Sequence, residues 1–287
     1  METLDIRNLV RAGFHFGHRT SRWNPKMAPY IFKRRNLIHI IDLRETLRGL
    51  IASRMLADAV AAKGSYVLFV GTKKQAKEVV KREAQKCSMP SVTERWPGGL
   101  LTNYATIRTR LDRLMELEKL EQTGEMRLHS KKMISALRRE QRKIVRNLGG
   151  VRSMDRLPGL LVIVDPAREH LAVREARKLG IPILALADTD SDPDELDIVV
   201  PGNDDSIGAI EIFLATVSKA ILGGLASRAA RGMAEPEPLE AAPEAEPEAP
   251  TETVPAEEAE TPEPEDDSPA DAGAEPTSEG ADEEDAE

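Results

Sequence analysis

The chain has one cysteine, Cys87, among 287 residues. No disulfide can form within it, no zinc site can be built on cysteines, and a lone thiol fits a reducing compartment. No uninterrupted apolar run approaches the roughly 18 residues that a bilayer span requires. The N-terminal stretch METLDIRNLVRAG mixes acid and base within its first turns, unlike a signal peptide or an Arg/Ser-rich transit peptide. These absences predict a cytoplasmic protein with no membrane partner.

Charge of one sign is also missing from a whole segment. Between Ala234 and Glu287 there is no lysine or arginine, against 22 acidic residues and 10 of the 19 prolines. That segment also lacks aromatic residues. It cannot bury enough apolar surface to offset its chain entropy, so residues 234–287 read as a disordered acidic tail. The overall net charge of −9 therefore misleads. Residues 1–233 carry +13, with +17 on residues 1–155 and −4 on 156–233. A basic half of this size points to a polyanion, with nucleic acid the first candidate. The chain before the tail is long enough for a full core.

Patterning within 1–233 is that of an α/β domain. Asp5 can cap a short helix that ends at Gly13. An aperiodic stretch dense in aromatic, basic and proline residues follows, FHFGHRTSRWNPKMAPYIF. Tyr30–Phe32 and Leu37–Ile40 read as two strands around the turn Lys33-Arg34-Arg35-Asn36. Asp42 starts a helix whose apolar positions are Leu43, Leu47, Leu50, Ile51, Met55, Leu56 and Val60, and Gly64 closes it. Tyr66–Val70 is a continuous apolar run, the mark of a strand buried on both faces. Gly71-Thr72 then turns into a helix through about Cys87. The grammar recurs at Leu160–Val164 with a helix at Arg168–Leu179, then at Ile183–Ala187, Ile198–Val200 and a final helix from Asp205. This predicts an open, mainly parallel sheet flanked by helices on both faces. Residues 103–148 interrupt the unit. Ile107, Leu111, Leu114 and Leu117 face Ile134, Leu137, Ile144 and Leu148 across Gln122-Thr123-Gly124, as in an inserted antiparallel coiled-coil hairpin weakened locally by Gln141. The cations of its second helix, Lys131, Lys132, Arg138, Arg139, Arg142, Lys143 and Arg146, read equally as a solvated face or as contacts to a polyanion.

Catalysis finds little support. Gly71-Thr72-Lys73-Lys74 could hold a phosphate where a strand meets a helix, but neither G-x-x-x-x-G-K-[ST] nor G-x-G-x-x-G is present. The loop Asp188–Glu195 has Asp188, Asp190 and Asp192 at alternate positions. Pro193 and Val199 stand where a calcium loop needs Gly and Glu, so an EF-hand is excluded. A lone magnesium stays open there, with solvated carboxylates capping turns favoured. His15 and His18 have no further ligands suggested by spacing, so stacking, phosphate contact or packing is favoured over zinc. Cys87 has no electropositive motif that would make it a nucleophile. We therefore expect no catalytic residue, no metal and no cofactor. Nucleic acid is better served. Arg19, Arg22, Trp23, Asn24 and Lys26 combine charge, a flat ring and an amide; Lys33, Arg34 and Arg35 sit on a hairpin; Arg95-Trp96 repeats the pairing. Arg and Lys neutralise phosphates, and Trp, His and Arg planes stack on unpaired bases.

Six motifs in order give the chain a family resemblance over about residues 1–225. These are Gly17-His18-Arg19-Thr20-Ser21-Arg22-Trp23-Asn24-Pro25-Lys26-Met27, Phe69 through Ala76, and Arg95-Trp96-Pro97-Gly98-Gly99 with Leu101-Thr102-Asn103. Leu157-Pro158 through Val164-Asp165-Pro166 follows, then Glu169, Glu175 and Leu179-Gly180-Ile181-Pro182, and Pro201-Gly202-Asn203-Asp204-Asp205 closes the series. Together they resemble the bacterial small-subunit ribosomal protein S2 family. The resemblance implies a Rossmann-like or flavodoxin-like α/β domain with a protruding coiled coil, no enzymatic activity, and a place in the cytoplasmic ribosome. Implied partners are small-subunit rRNA and neighbouring small-subunit proteins, including ribosomal protein S1. The expected RNA-binding set adds His18, Thr72, Lys73, Lys74, Asn103 and Arg108 to the residues above. An enzyme acting on a phosphorylated small molecule and a non-ribosomal RNA-binding protein are the alternatives. Departures are Pro97 in place of an aliphatic residue, Asp190-Ser191 in place of Asn-Cys, and Gly208 in place of Arg, which removes one phosphate contact.

Overall fold

The computed structural model describes residues 5–128 and 130–232. The acidic segment predicted to be disordered lies outside these residues. Five strands form a parallel sheet in the order β5-β4-β6-β7-β8: Ser91–Val92 (β5), Val67–Val70 (β4), Leu160–Val164 (β6), Ile183–Ala187 (β7) and Ile198–Pro201 (β8). Every residue of β4, β6 and β7 is buried, which is why these strands read as unbroken apolar runs. Side chains alternate between faces. Val67, Phe69, Leu160, Val162, Val164, Leu184, Leu186 and Val200 join one cluster, packed by helices α1 (Ile6–Arg11), α2 (Leu43–Ala62), α3 (Lys77–Lys86) and α7 (Ile207–Ala230). Leu68, Val70, Leu161, Ile163, Ile183 and Ala185 join the other, under α6 (His170–Lys178).

Strand order reverses at β4, so the crevice past the carboxyl ends of β4 and β6 is the switch point where open α/β sheets bind ligands. Helix caps agree with the sequence at two places: Asp5 Oδ1 accepts from Arg7 N at 3.1 Å, and Asp42 Oδ1 from Arg44 N at 2.9 Å. Gly13 and Gly64 carry positive φ of 79° and 77°. This is the left-handed stop that glycine permits.

Two expectations change. The basic hairpin is a three-stranded antiparallel sheet, β1 (Phe16–Arg19), β3 (Ile38–Ile41) and β2 (Ile31–Arg35), with β3 central. Its turn is Asn36-Leu37, both at positive φ, so Lys33, Arg34 and Arg35 lie along an edge strand and not in the turn. Helix α2 buries Thr46, Gly49, Leu50, Ser53, Ala57 and Ala61, while Ile51 and Met55 face outward. Small residues let it press on β8 and α7. A Cβ added at Gly49 would stand 2.5 Å from Val199 O and 3.0 Å from Val200 Cα. Because backbone cannot yield as a side chain does, Gly49→Ala should cost about 1–3 kcal/mol. The corresponding fall in melting midpoint is roughly 5 °C, checked by a thermal melt. Helix α7 is long and apolar enough to cross a membrane by length and composition, although Glu211 and Lys219 interrupt its apolar run. Here it packs Ala209, Ile210, Phe213, Leu214, Val217 and Ile221 into the core.

The segment 103–148 holds α4 (Tyr104–Gln122) and α5 (Lys131–Leu148). Ile107, Leu111 and Leu148 root the pair in the sheet cluster; Leu117, Met126 and Leu137 close a separate small core farther out. Between the helices a 3-10 turn, Glu125–Leu128, extends the link beyond Gly124, and Ser130 caps α5. Gln141 is satisfied, donating to Glu121 Oε2 at 3.0 Å.

Candidate functional site

Two surfaces draw on the candidate residues. The first is the small antiparallel sheet and the loop before it. Arg19, Arg22, Trp23, Lys26, Lys33, Arg34 and Arg35 are all exposed. Among the described residues no carboxylate lies within 4.0 Å of Arg19, Arg22, Lys33, Arg34 or Arg35. Flat and apolar groups stand between the cations: Trp23, tilted on His39 at 5.1 Å, together with Phe32 and Leu37. Lys33 Nζ lies 5.6 Å from the Phe32 ring centre, within the range of a cation–π contact. Four of the five β2 residues are exposed, so the strand has no buried face to specify its sequence. Lys74, Arg95, Asn103 and Arg108 are exposed as well.

Other expected members are engaged inside the protein. Lys26 reaches Asp192 Oδ2 at 2.7 Å and Asp194 Oδ2 at 2.8 Å, and Asn24 Oδ1 accepts from Lys26 N at 3.0 Å. These contacts fasten the loop to the acidic turn. Trp96 is 4 % exposed and its Nε1–H donates to Glu175 Oε1 at 3.0 Å. It is therefore a core ring with a satisfied donor and not a stacking platform. Thr72 is buried, its hydroxyl shared between Glu169 Oε1 and the Arg168 Nε–H. Helix α3 begins only at Lys77, so the Gly71–Lys74 turn is not the dipole end of a helix. Cys87 is buried, and loss of solvent pushes its thiol up to about 11. That is the behaviour of an inert core cysteine.

The second surface is the carboxyl edge of the parallel sheet. Each of four strands delivers a charged residue just beyond its end: Lys73 after β4, Asp165 after β6, Asp188 after β7 and Asp204 after β8. Lys73 Nζ lies 2.8 Å from Asp204 Oδ1, 2.6 Å from Asp205 Oδ1 and 3.5 Å from Asp165 Oδ2. Burial pushes that ammonium down, and Asp204 and Asp205 outweigh it, so the pKa ends above its ordinary value. Asp165 sits at a positive φ of 64°. That is a strained position for a residue with a side chain. Strand β1 brings His18 onto this edge. Its backbone N donates to Asp188 Oδ1 and Thr189 Oγ1, both at 3.1 Å, and its Nδ1 lies 2.8 Å from Asp188 Oδ2. Gly17 permits the approach, since a Cβ there would meet Thr189 Cγ2 at 2.7 Å. The Asp188 carboxylate, opposed by burial, lifts His18 to about 9. Asp204 is fully buried; desolvation, with Asp165 adding repulsion, holds it above the usual carboxylate range.

The loop Asp188–Glu195 thus divides. Asp192 and Asp194 match the expected solvated, turn-capping carboxylates, Asp192 accepting from Asp194 N at 3.0 Å. Asp188 does not; it is 1 % exposed. The sequence reading gave Asp165, Asp188 and Asp204 no joint role. The one available signal was that each follows the end of an apolar strand.

Comparison with known proteins decides the family. The family model described as "Ribosomal protein S2" matches residues 9–224, which includes both surfaces. The chain belongs to the ribosomal protein S2 family. It is 54 % identical over 219 residues to "Small ribosomal subunit protein uS2" of Rhodopirellula baltica, covering 76 % of this chain and 84 % of that protein. Ribosomal protein S2 is not an enzyme family. The Gly208 departure falls in the first turn of α7, where an added Cβ would touch Ala12 at 3.4 Å.

Proposed function

We propose that the chain is a structural constituent of the small ribosomal subunit in the cytoplasm, and that it binds folded rRNA through the β1-β3-β2 sheet and its preceding loop. The observation that carries this reading is the set Arg19, Arg22, Lys33, Arg34 and Arg35, exposed together with no carboxylate partner among the described residues and interleaved with Trp23 and Phe32. Desolvated phosphates would supply the missing counter-charges, and the rings offer stacking surface to unpaired bases. Lys74, Arg95, Asn103 and Arg108 extend the contact; His18, Asn24, Lys26, Thr72, Lys73 and Trp96 support it from within the fold. The α4–α5 pair serves as the coiled-coil arm of a single ribosomal domain spanning 1–233, followed by the acidic segment 234–287. Neighbouring small-subunit proteins, with ribosomal protein S1 recruited among them, complete its surroundings.

Sedimentation tests this reading. The protein should travel with small subunits through a high-salt gradient, and subunits assembled without it should carry less ribosomal protein S1. Protein that stays at the top of the gradient with intact subunits present would refute ribosomal membership.

A further inference from the structure

We infer that the outer face of α5 is a second RNA interface, separate from the small sheet, and that it takes the phosphate backbone of a base-paired RNA segment. Helix α5 carries seven Lys and Arg against one Glu, whereas its partner α4 carries four residues of each sign. The excess lies on one side. Leu137 and Leu148 are buried, and Ile134 and Ile144 pack against the small core of the arm. At 3.6 residues per turn, Lys132, Arg139, Arg142, Lys143 and Arg146 centre on the opposite side. All five are exposed, and among the described residues none has a carboxylate within 4.0 Å. Arg142 and Arg146 use Nε on Arg138 O and Asn147 Oδ1, at 3.2 and 3.4 Å, contacts that leave both guanidinium charges unopposed. Glu140, the one carboxylate of the helix, faces Arg113 of α4 at 3.4 Å.

A face that only needed to stay hydrated would mix its signs, as α4 does. Helix α5 instead accepts repulsion within itself. Arg138 and Arg142, Arg139 and Lys143, and Arg142 and Arg146 are like charges one turn apart, each pair destabilising to the helix. Lys131 and Lys132 occupy a first turn that holds no acidic residue, the end where the helix dipole disfavours cations. An external anion along this face reverses both effects, because it screens the repulsion and supplies the negative charge that the helix start lacks.

The chemistry of the face selects the anion. From Lys132 to Arg146 the charges run about 21 Å along the helix axis, the reach of a linear polyanion and not of a small phosphorylated molecule. Lys131–Leu148 contains no aromatic residue, so an unpaired base finds no ring to stack on. What remains is charge and shape, the means by which base-paired RNA is recognised, since its deep, narrow major groove hides the base edges. Ser135 and Ala136, small and exposed between Lys132 and Arg139, leave room for a backbone to approach. The small sheet differs in kind, because Trp23 and Phe32 stand among its cations. The inference rests on the rRNA-binding reading above and adds to it a surface for paired RNA.

The test uses the full-length protein and a blunt RNA duplex with no unpaired nucleotide. Arg139→Gln, Arg142→Gln, Lys143→Gln and Arg146→Gln are combined in one variant. Glutamine is as good a helix former as the residues it replaces, and the repulsion is gone, so the melting midpoint should hold or rise. The log–log salt slope of duplex binding should fall by about 3.6 units, and affinity at roughly 100 mM salt by about a hundredfold. Arg113→Gln with Arg138→Gln, whose charges already meet Glu116, Glu140 and Glu121, should leave the slope within about one unit of the wild type. No duplex binding by the wild type, or unchanged binding by the folded quadruple variant, overturns the interface. Small subunits that carry the variant and lose a neighbouring protein, with duplex binding intact, would give the face to a protein partner and equally overturn it. Co-sedimentation of the wild type reads ribosomal membership separately, so a failure of that reading is told apart from a failure of this one.

Discussion

Replacing Lys33, Arg34 and Arg35 together with alanine is expected to cut the salt dependence of rRNA binding by about 2.7 units of log–log slope, near 0.9 for each phosphate no longer neutralised. The three side chains are exposed, so their truncation removes charge and leaves the packing of the sheet intact. Their strand is the edge of the small sheet, and neighbouring residues alternate between faces. Lys33 and Arg35 border a shallow concavity with His15, Phe16 and Ile40, while Arg34 pairs in register with His39 on β3. The variant therefore strips both faces. Each charge-assisted contact is worth on the order of 1 kcal/mol or more, so affinity near 150 mM salt should fall at least ~100-fold. Lys26→Ala is the contrast. Its ammonium is already paired with Asp192 and Asp194, so removing it should change the slope by much less than one phosphate's share. Filter binding to a small-subunit rRNA fragment between about 50 and 200 mM salt measures both, a range over which phosphate contacts register strongly. A triple variant with the wild-type slope would take the interface away from this strand.

That contrast also shows where the sequence was legible. Strands β4, β6 and β7 were readable because burial on both faces forces continuous apolar runs, and helix starts at Asp5 and Asp42 because caps are local chemistry. Strand β5 was not, being two residues long and paired only with β4. The turn at Asn36-Leu37 was displaced from its expected place because Leu37, at a positive φ of 60°, is an unusual residue for that conformation. Turns of this kind ordinarily announce themselves with Gly, Asn or Asp. The packing face of α2 was misassigned because small residues, and not Ile51 or Met55, allow close approach. Site chemistry failed for a related reason. Lys26, Lys73 and Trp96 look like free RNA ligands in sequence, and each finds its partner across the fold. Trp96 meets Glu175 79 positions away, and Lys73 meets Asp204 131 positions away. Arg19, Arg22, Lys33, Arg34 and Arg35 have no such partner among the described residues, and the proposed interface rests on them for that reason.

Loss of the Glu175 carboxylate on α6 should be strongly damaging to the loop that leads into α4. Its Oε1 accepts from Trp96 Nε1 at 3.0 Å and Gly99 N at 2.8 Å; its Oε2 accepts from Leu101 N at 3.0 Å, Thr102 N at 3.2 Å and Thr102 Oγ1 at 3.3 Å. One side chain on α6 thus organises the turn between Trp96 and Asn103, from which α4 starts. Glu175→Ala strands several part-buried donors at once and should cost about 3–5 kcal/mol. That lowers the melting midpoint by roughly 10 °C for a domain of this size. Glu175→Gln should recover only part of the loss, because its amide NH2 must replace one acceptor oxygen and would confront N–H donors there. The dependence on pH has a definite sign. Burial pushes the Glu175 carboxyl up, but the donors from Trp96, Leu101, Gly99 and Thr102 outweigh it, and the folded value lies below the ordinary 4.5. Such a group contributes its full stability above the unfolded value and loses it as pH falls through the folded one. The gap in melting midpoint between wild type and Glu175→Ala should therefore be constant near neutrality and narrow below about pH 4.5. Thermal melts of the three proteins from neutral to acid pH decide the matter: a gap that persists unchanged in acid would mean that the negative charge does not hold this loop.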